Sequence, residues 1–357
     1  MPPSPLLQTQ PLEQALALDA RFYRDPRWQA VEQQAVFARS WQLAAHAGDL
    51  AGSGDHVVTE IAGTPILIVR HEDGHLNAFH NVCRHRAGPI ATCNGRGARR
   101  LKCAYHSWLY DLDGQLRMAP EMAEAQDFNV ADIRLPTVQV REWQGLVFVA
   151  LDDAVAPFET VYGGIVERIR PVDLAAMRFY HRVSYDIDCN WKVYIDNFLE
   201  GYHLPAVHPG LSRVLDYSVY DTELFDWYSL QHSPLRNSTD IYGDGQAWYY
   251  FIYPNVMLNI MPGRMQTNRI LPLGLERCRV EFDYYYTPSP EVAARIDNDQ
   301  AFSDEIQQED IAICLAVQKG LMSGSYTAGR LCPRRESGVW HFQNLLRQAY
   351  ATADLAA

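Results

Sequence analysis

The spacing of apolar positions changes three times along the chain. Between residues 12 and 41, Phe22, Tyr23, Trp28, Val31, Val36, Phe37 and Trp41 recur at intervals that suit helix. From about 42 to 150, short β-rich runs alternate with Gly, Asp and Asn turns, with strands expected at 56–61, 64–70, 76–81, 99–103, 108–111 and 146–151. Asp73-Gly74 and Asp113-Gly114 are hairpin signals inside this stretch. After Pro157 the texture shifts again. Helix is expected over 158–170 and 190–203, aromatic strands over 247–253, 256–261, 265–272 and 279–287, and a long helix over about 290–319. The reading is an α+β chain with three parts: 1–41, a helical segment packing on the C-terminal domain; 42–151, a small all-β domain; and 152–357, an antiparallel sheet packed with helices.

Size and charge narrow the function classes. A chain of 357 residues with 48% hydrophobic positions is long enough for two well-buried cores. A net charge of −12 lacks the basic excess that a nucleic-acid partner would require. No apolar run reaches the ~18 residues of a membrane span. Seven cysteines, without a secretory leader in residues 1–18, read as free thiols in a reducing cytoplasm rather than a disulfide framework.

Two of those thiols belong to a pattern. Cys83-Arg84-His85 and Cys103-Ala104-Tyr105-His106 each sit between β-rich runs, so two loops meeting at one end of a small sheet would offer two Cys and two His. Zinc accepts the same four groups. Zinc fingers usually pair Cys with Cys and His with His, however, whereas each loop here offers one of each. In a Rieske centre one iron takes both Cys and the other both His, which mixed loops permit.

A second constellation lies downstream. With helix over 190–203, Asp196, Glu200 and His203 fall at i, i+4 and i+7 on one face, and Pro205 disfavours helix beyond Leu204. His208 follows and can fold back toward His203. Two His and one carboxylate form the facial triad of non-haem Fe(II). In the late helix, Asp310 shares a stripe with Ile306, Ile313, Cys314 and Val317, while Glu305 and Glu309 point elsewhere. A carboxylate interrupting an apolar face needs a metal or a partner such as Arg.

The segments 83–89 and 103–110, followed by Gly114-Gln115-Leu116, resemble the two cluster loops of Rieske-type non-haem iron oxygenases. Ala104 and Ser107 depart from the Pro and Gly common there. Asn190-Trp191-Lys192, Asp196-Asn197, Glu200, Tyr202-His203 and His208 resemble the family's iron-binding helix, and 308–311 with 317–321 resembles the segment that carries the third ligand. The resemblance implies a Rieske domain followed by a helix-grip catalytic domain. It implies a [2Fe–2S] cluster on Cys83, His85, Cys103 and His106, and a mononuclear Fe(II) on His203, His208 and Asp310. O₂ would be the cosubstrate, and NAD(P)H electrons would arrive through a separate flavin and iron–sulfur reductase.

A homotrimer is also implied, in which Glu200 bridges one subunit's cluster to its neighbour's iron, with electrons passing by way of His106, Glu200 and His203. Many ring-hydroxylating relatives carry Asp at the bridge. A Glu there resembles the carnitine, choline and glycine betaine branch, as do 317–321 and 336–343. The chemistry implied is a monooxygenation rather than a dioxygenation: a C–H next to nitrogen is hydroxylated, and the hemiaminal collapses to an aldehyde and an amine or to a demethylated product. The competing readings are an oxygenase acting on an aromatic acid, an electron-transfer Rieske protein and a structural zinc protein. Among the aromatics Tyr220, Phe225, Trp227, Tyr228, Trp248, Tyr249, Tyr250, Phe251 and Tyr253, the sequence assigns no ammonium cage.

Overall fold

The computed structural model describes residues 5–236 and 242–354. The chain divides into two compact units. One is Phe37–Ala156; the other joins the segment up to Val36 to the chain from Pro157 onward.

The first unit holds β1 (Gln42–His46), β2 (His56–Ile61), β3 (Thr64–Arg70), β4 (Leu76–His80), β5 (Leu101–Lys102), β6 (Leu109–Tyr110), β7 (Leu116–Met118), β8 (Thr137–Trp143) and β9 (Leu146–Ala150). Six of them form a sheet in the order β1-β9-β8-β4-β3-β2, and β5-β6-β7 form a small one. Strand β3 shows why two cores arise. Its alternate residues point to opposite faces. Ile66 and Ile68 join one core with Val147 and Val149. Leu67 and Val69 join the other, with Phe79, Cys83, Cys103, Trp108 and Tyr110. The turn at Asp113-Gly114 forms as expected, because Gly114 adopts φ 84° and a Cβ there would sit 2.6 Å from the Phe79 ring.

The second unit is a seven-stranded antiparallel sheet. It comprises β10 (Arg178–Ile187), β11 (Asp221–Leu224), β12 (Tyr228–Pro234), β13 (Gln246–Ile252), β14 (Val256–Met261), β15 (Arg264–Gly274) and β16 (Arg277–Tyr286), in the order β10-β16-β15-β14-β13-β12-β11. Helices Trp191–Phe198, Ile296–Met322 and Ser337–Asp354 belong to this unit. The N-terminal segment is helical in pieces, with a short stretch at Arg21–Arg24 and a second that begins at Arg27–Glu32 and continues as π-helix over Gln33–Phe37. It is nevertheless anchored in the same unit. Glu32 is buried, pairs with Lys192 at 2.5 Å and accepts hydrogen bonds from Trp191 Nε1 and the Tyr350 hydroxyl. Residues 1–4 and 355–357, which the first and last sequence-derived parts include, lie outside the described residues.

The helix expected over 158–170 is broken into Phe158–Tyr162 and Ile165–Arg168, and three further expectations need correction. The helix expected over 190–203 stops at Phe198. Beyond it the Glu200 carboxylate accepts from the N–H groups of Tyr202 and His203, offering the backbone a side-chain partner in place of the next helical turn. Pro205 does not end helix but starts it. It occupies the first turn of Leu204–Val207, where its missing N–H costs nothing. The long helix is interrupted near its start, with Pro290–Ala293 separate from Ile296–Met322. No helix among the described residues is long and apolar enough to cross a membrane.

Candidate metal centres

In the first unit, Cys83 and His85 follow β4, and Cys103 to His106 make the connection from β5 to β6. The two loops share one construction. Cys83 O accepts from the Ala87 N–H and Cys103 O from the Ser107 N–H, both at 3.1 Å, and both turns close on a positive-φ residue: Ala87 at 56° and Ser107 at 59°. The second value explains why Gly suits that position, since a side chain there is strained. Asn81 ties off the first loop, its Oδ1 accepting from the N–H groups of Ile90 and Ala91.

The four side chains come together. Cys83 and Cys103 are buried free thiols. The rings of His85 and His106 lie 4.6 Å apart, and His85 stacks on Trp108 at 4.8 Å. The Tyr110 hydroxyl lies 3.2 Å from Cys83 Sγ and accepts from the Arg84 N–H. His85 Nδ1 is buried with no hydrogen-bond partner among the described residues. Buried polar atoms of that kind call for a partner. Two buried sulfurs beside two imidazoles form a donor set that fits a [2Fe–2S] Rieske cluster. Cys93 is exposed and separate from this set.

In the second unit, His203 and His208 flank the single helical turn Leu204–Val207, one at each end, with ring centroids 4.9 Å apart. Asp310 reaches them from the helix Ile296–Met322. Its Oδ1 lies 3.0 Å from His208 Nε2 and 3.8 Å from His203 Nε2. One ligand atom from each of the three lies within 4.8 Å of the others. The opposite ring nitrogens are held by carboxylates: His203 Nδ1 by Glu200 Oε1 and His208 Nδ1 by Glu309 Oε2, both at 2.6 Å. An Nδ1–H donated to a carboxylate leaves Nε2 as the free lone pair, the arrangement a metal-binding His requires. Burial alone would push the His208 pKa down, but Asp310 and Glu309 outweigh it and hold it above the usual value. Asn197 Nδ2 donates to Asp310 Oδ1 at 2.6 Å. Two His and one carboxylate, each with its outer partner, fit a mononuclear iron.

The apolar stripe expected around Asp310 is only partly buried. The buried face of that helix is largely polar, with Asp299, Ser303, Gln307 and Gln318 beside Cys314 and Leu321, while Ile306 and Ile313 are half-buried and Val317 is exposed. Glu309 does not point elsewhere but orients His208. That role was missed, although an iron-bound His implies some carboxylate or carbonyl on its second nitrogen. Asp196 lines the second cleft with Glu200 and His203, and its carboxylate accepts from the Tyr23 hydroxyl and from Gln343.

A cavity opens beside the triad, walled by Tyr194, Tyr220, Tyr242, Tyr249, Phe282 and Phe302. Of the aromatics singled out in the sequence, Tyr220 and Tyr249 line it. Tyr250, Phe251 and Tyr253 are buried in the core instead. Among the described residues Arg264 is the only Lys or Arg in the lining, and Asp299 neutralises it at 2.8 Å. A second cleft lies against the same helix, and Glu200 and His203 line both spaces.

Comparison with known proteins agrees with this geometry. Residues 40–138 match the Rieske [2Fe-2S] domain, and 174–232 with 220–352 match the ring hydroxylating alpha subunit (catalytic domain). The chain is 34% identical to choline monooxygenase, chloroplastic, of Arabidopsis thaliana, over 94% of this chain and 83% of that protein. It is 30% identical to the carnitine monooxygenase oxygenase subunit of Escherichia coli (strain K12), over 95% of each. The crystal structure of the quaternary ammonium Rieske monooxygenase CntA with L-carnitine superposes with a TM-score of 0.84 at 26% identity, covering 96% of this chain and 99% of that one.

Proposed function

The chain belongs to the Rieske-type ring-hydroxylating oxygenase alpha subunits, and from that premise we propose that it oxidises a quaternary ammonium compound of the carnitine, choline or betaine type. Its cofactors are a [2Fe–2S] Rieske cluster and a mononuclear iron, O₂ is its cosubstrate, and NAD(P)H electrons reach it through a partner reductase. The iron and cluster would supply O₂ reduction. In our reading Cys83 and Cys103 hold one cluster iron and His85 and His106 the other. His203, His208 and Asp310 hold the mononuclear iron, with Glu200, Glu309 and Asn197 orienting them.

The observation that carries the substrate class is the cavity. Aromatic faces attract a trimethylammonium group. A cation is also compatible with a lining whose single guanidinium is already paired with Asp299. The substrate C–H beside nitrogen gains one oxygen atom of O₂, and the other leaves as water with two electrons from NAD(P)H and two protons. The hemiaminal then breaks its C–N bond to give an aldehyde and an amine. Glu200 supports a bridging role because it holds His203 Nδ1 and lines both spaces. In our reading it faces the cluster histidines of a neighbouring subunit in a head-to-tail homotrimer. The reductase is taken to be of the flavin and iron–sulfur type. The seven free cysteines fit a reducing cytoplasm.

A single-turnover experiment tests the proposal. Chemically reduced enzyme with Fe(II) is mixed with O₂ and separately with carnitine, choline, betaines and aromatic acids, and products are identified by mass spectrometry. We expect an aldehyde and an amine from one quaternary compound. Hydroxylated aromatic product with the ammonium compounds untouched would overturn the substrate class and leave the family assignment standing.

A further inference from the structure

We propose that the hairpin tip joining β3 to β4 is a divalent transition-metal site formed by His71, Asp73 and His75, separate from both iron centres. The turn is rigid. The Gly74 N–H donates to His71 O at 3.1 Å, the His71 N–H donates to His75 O at 2.9 Å, and Gly74 adopts φ 91°. This is a three-residue loop closed by a left-handed glycine, which fixes its flanking residues opposite one another. Those flanking residues are the two histidines. Arg70 pins the loop further by donating from Nη1 to Gly74 O at 2.8 Å.

The side chains converge from that frame. The two imidazoles stack with centroids 4.6 Å apart and planes inclined by 23°. Asp73 Oδ1 lies 3.0 Å from His71 Nδ1 and also contacts His75 Nδ1. One ligand atom from each residue lies within 4.8 Å of the others. The chelate is therefore largely preformed, and little chain entropy remains to be lost on binding. Two neutral imidazoles and a carboxylate suit borderline ions of the Zn²⁺, Ni²⁺ and Cu²⁺ group, with water completing the shell at an exposed tip. The adjoining cleft contains Glu72, Asp111 and Asp113 beside Arg99, Arg100 and Arg117, so its charges balance and do not repel a cation.

Nothing in the oxygenase chemistry uses these residues, so the test reads metal rather than turnover. Iron-loaded enzyme is titrated with Zn²⁺ by calorimetry, and iron per chain is counted before and after. We expect one Zn²⁺ bound per chain with all iron retained, and loss of that isotherm in His71→Gln/His75→Gln. The visible spectrum of the cluster serves as the check that the double variant is folded. Cu²⁺ gives a second readout, an electron paramagnetic resonance signal with nitrogen coupling that disappears in the same variant. No zinc uptake, uptake matched by iron release, or an unchanged isotherm in the double variant would each overturn the site.

Discussion

In the Rieske unit, the four proposed cluster residues lie between Cys83 and His106, on two loops built to the same backbone plan. In the catalytic unit, His203 and His208 meet a carboxylate from Asp310, more than a hundred residues on, and each side chain is aimed by another side chain. The first site is shaped mainly by main-chain turns and burial, the second by a hydrogen-bonded network of acids and an amide. A network of that kind depends on every member, whereas a loop template tolerates changes away from its ligands. The two units should therefore respond differently to substitution.

The sharpest separation comes from Asp310→Ala. It should lose the mononuclear iron and all turnover while the cluster keeps its visible spectrum, so iron content should fall from three per chain to two. Loss of both centres together would mean that the two regions are not independent. Next is Glu200→Ala, expected to retain three irons per chain while turnover falls to background, measured by metal analysis beside steady-state assays. Normal turnover in that variant would remove Glu200 from the electron route. A smaller effect on activity but a large one on stability is expected from Lys192→Met, which leaves Glu32 buried and unpaired. Denaturant unfolding of the catalytic unit should lose about 3–5 kcal/mol. The smallest effect belongs to the loop-built site. Tyr110→Phe removes the hydroxyl beside Cys83 Sγ and should lower the cluster potential by on the order of tens of millivolts, with the cluster still assembled. Failure to assemble would show that this template is as dependent on its side chains as the catalytic one.

The same contrast decides what the sequence could reveal. The four candidate cluster residues stand out in the sequence because spacing and flanking β-runs are local properties. His203 and His208 were legible for the same reason. Asp310 was identified through resemblance, whereas the apolar stripe argued for it is only half-buried at Ile306 and Ile313 and exposed at Val317. Its helix buries Ser303, Gln307 and Gln318, residues that a hydrophobic pattern assigns to solvent. Strand β10 went unnoticed because Arg178, Arg182, Ser184 and Asp186 break its apolar runs, although Arg182 and Asp186 are satisfied by Asp283 on β16 and by Arg277 and Arg279. The helix end at Phe198 was invisible for another reason. Glu200 favours helix by composition, and only the fold directs its carboxylate back onto the N–H groups that follow.

That polar face of Ile296–Met322 has a further consequence. A greasy stripe could slip along its neighbours at modest cost, because one leucine replaces another. This helix is keyed instead. Tyr286 donates to Asp299, Tyr284 to Ser303 and Tyr194 to Gln307, while Gln318 accepts from the Asn190 N–H at the start of the helix that leads to His203. Each contact fits only one axial and rotational setting, so the helix works as an indexed shaft. The carboxylate that must meet two imidazoles is thereby positioned by teeth cut along its whole length, above and below the point of use.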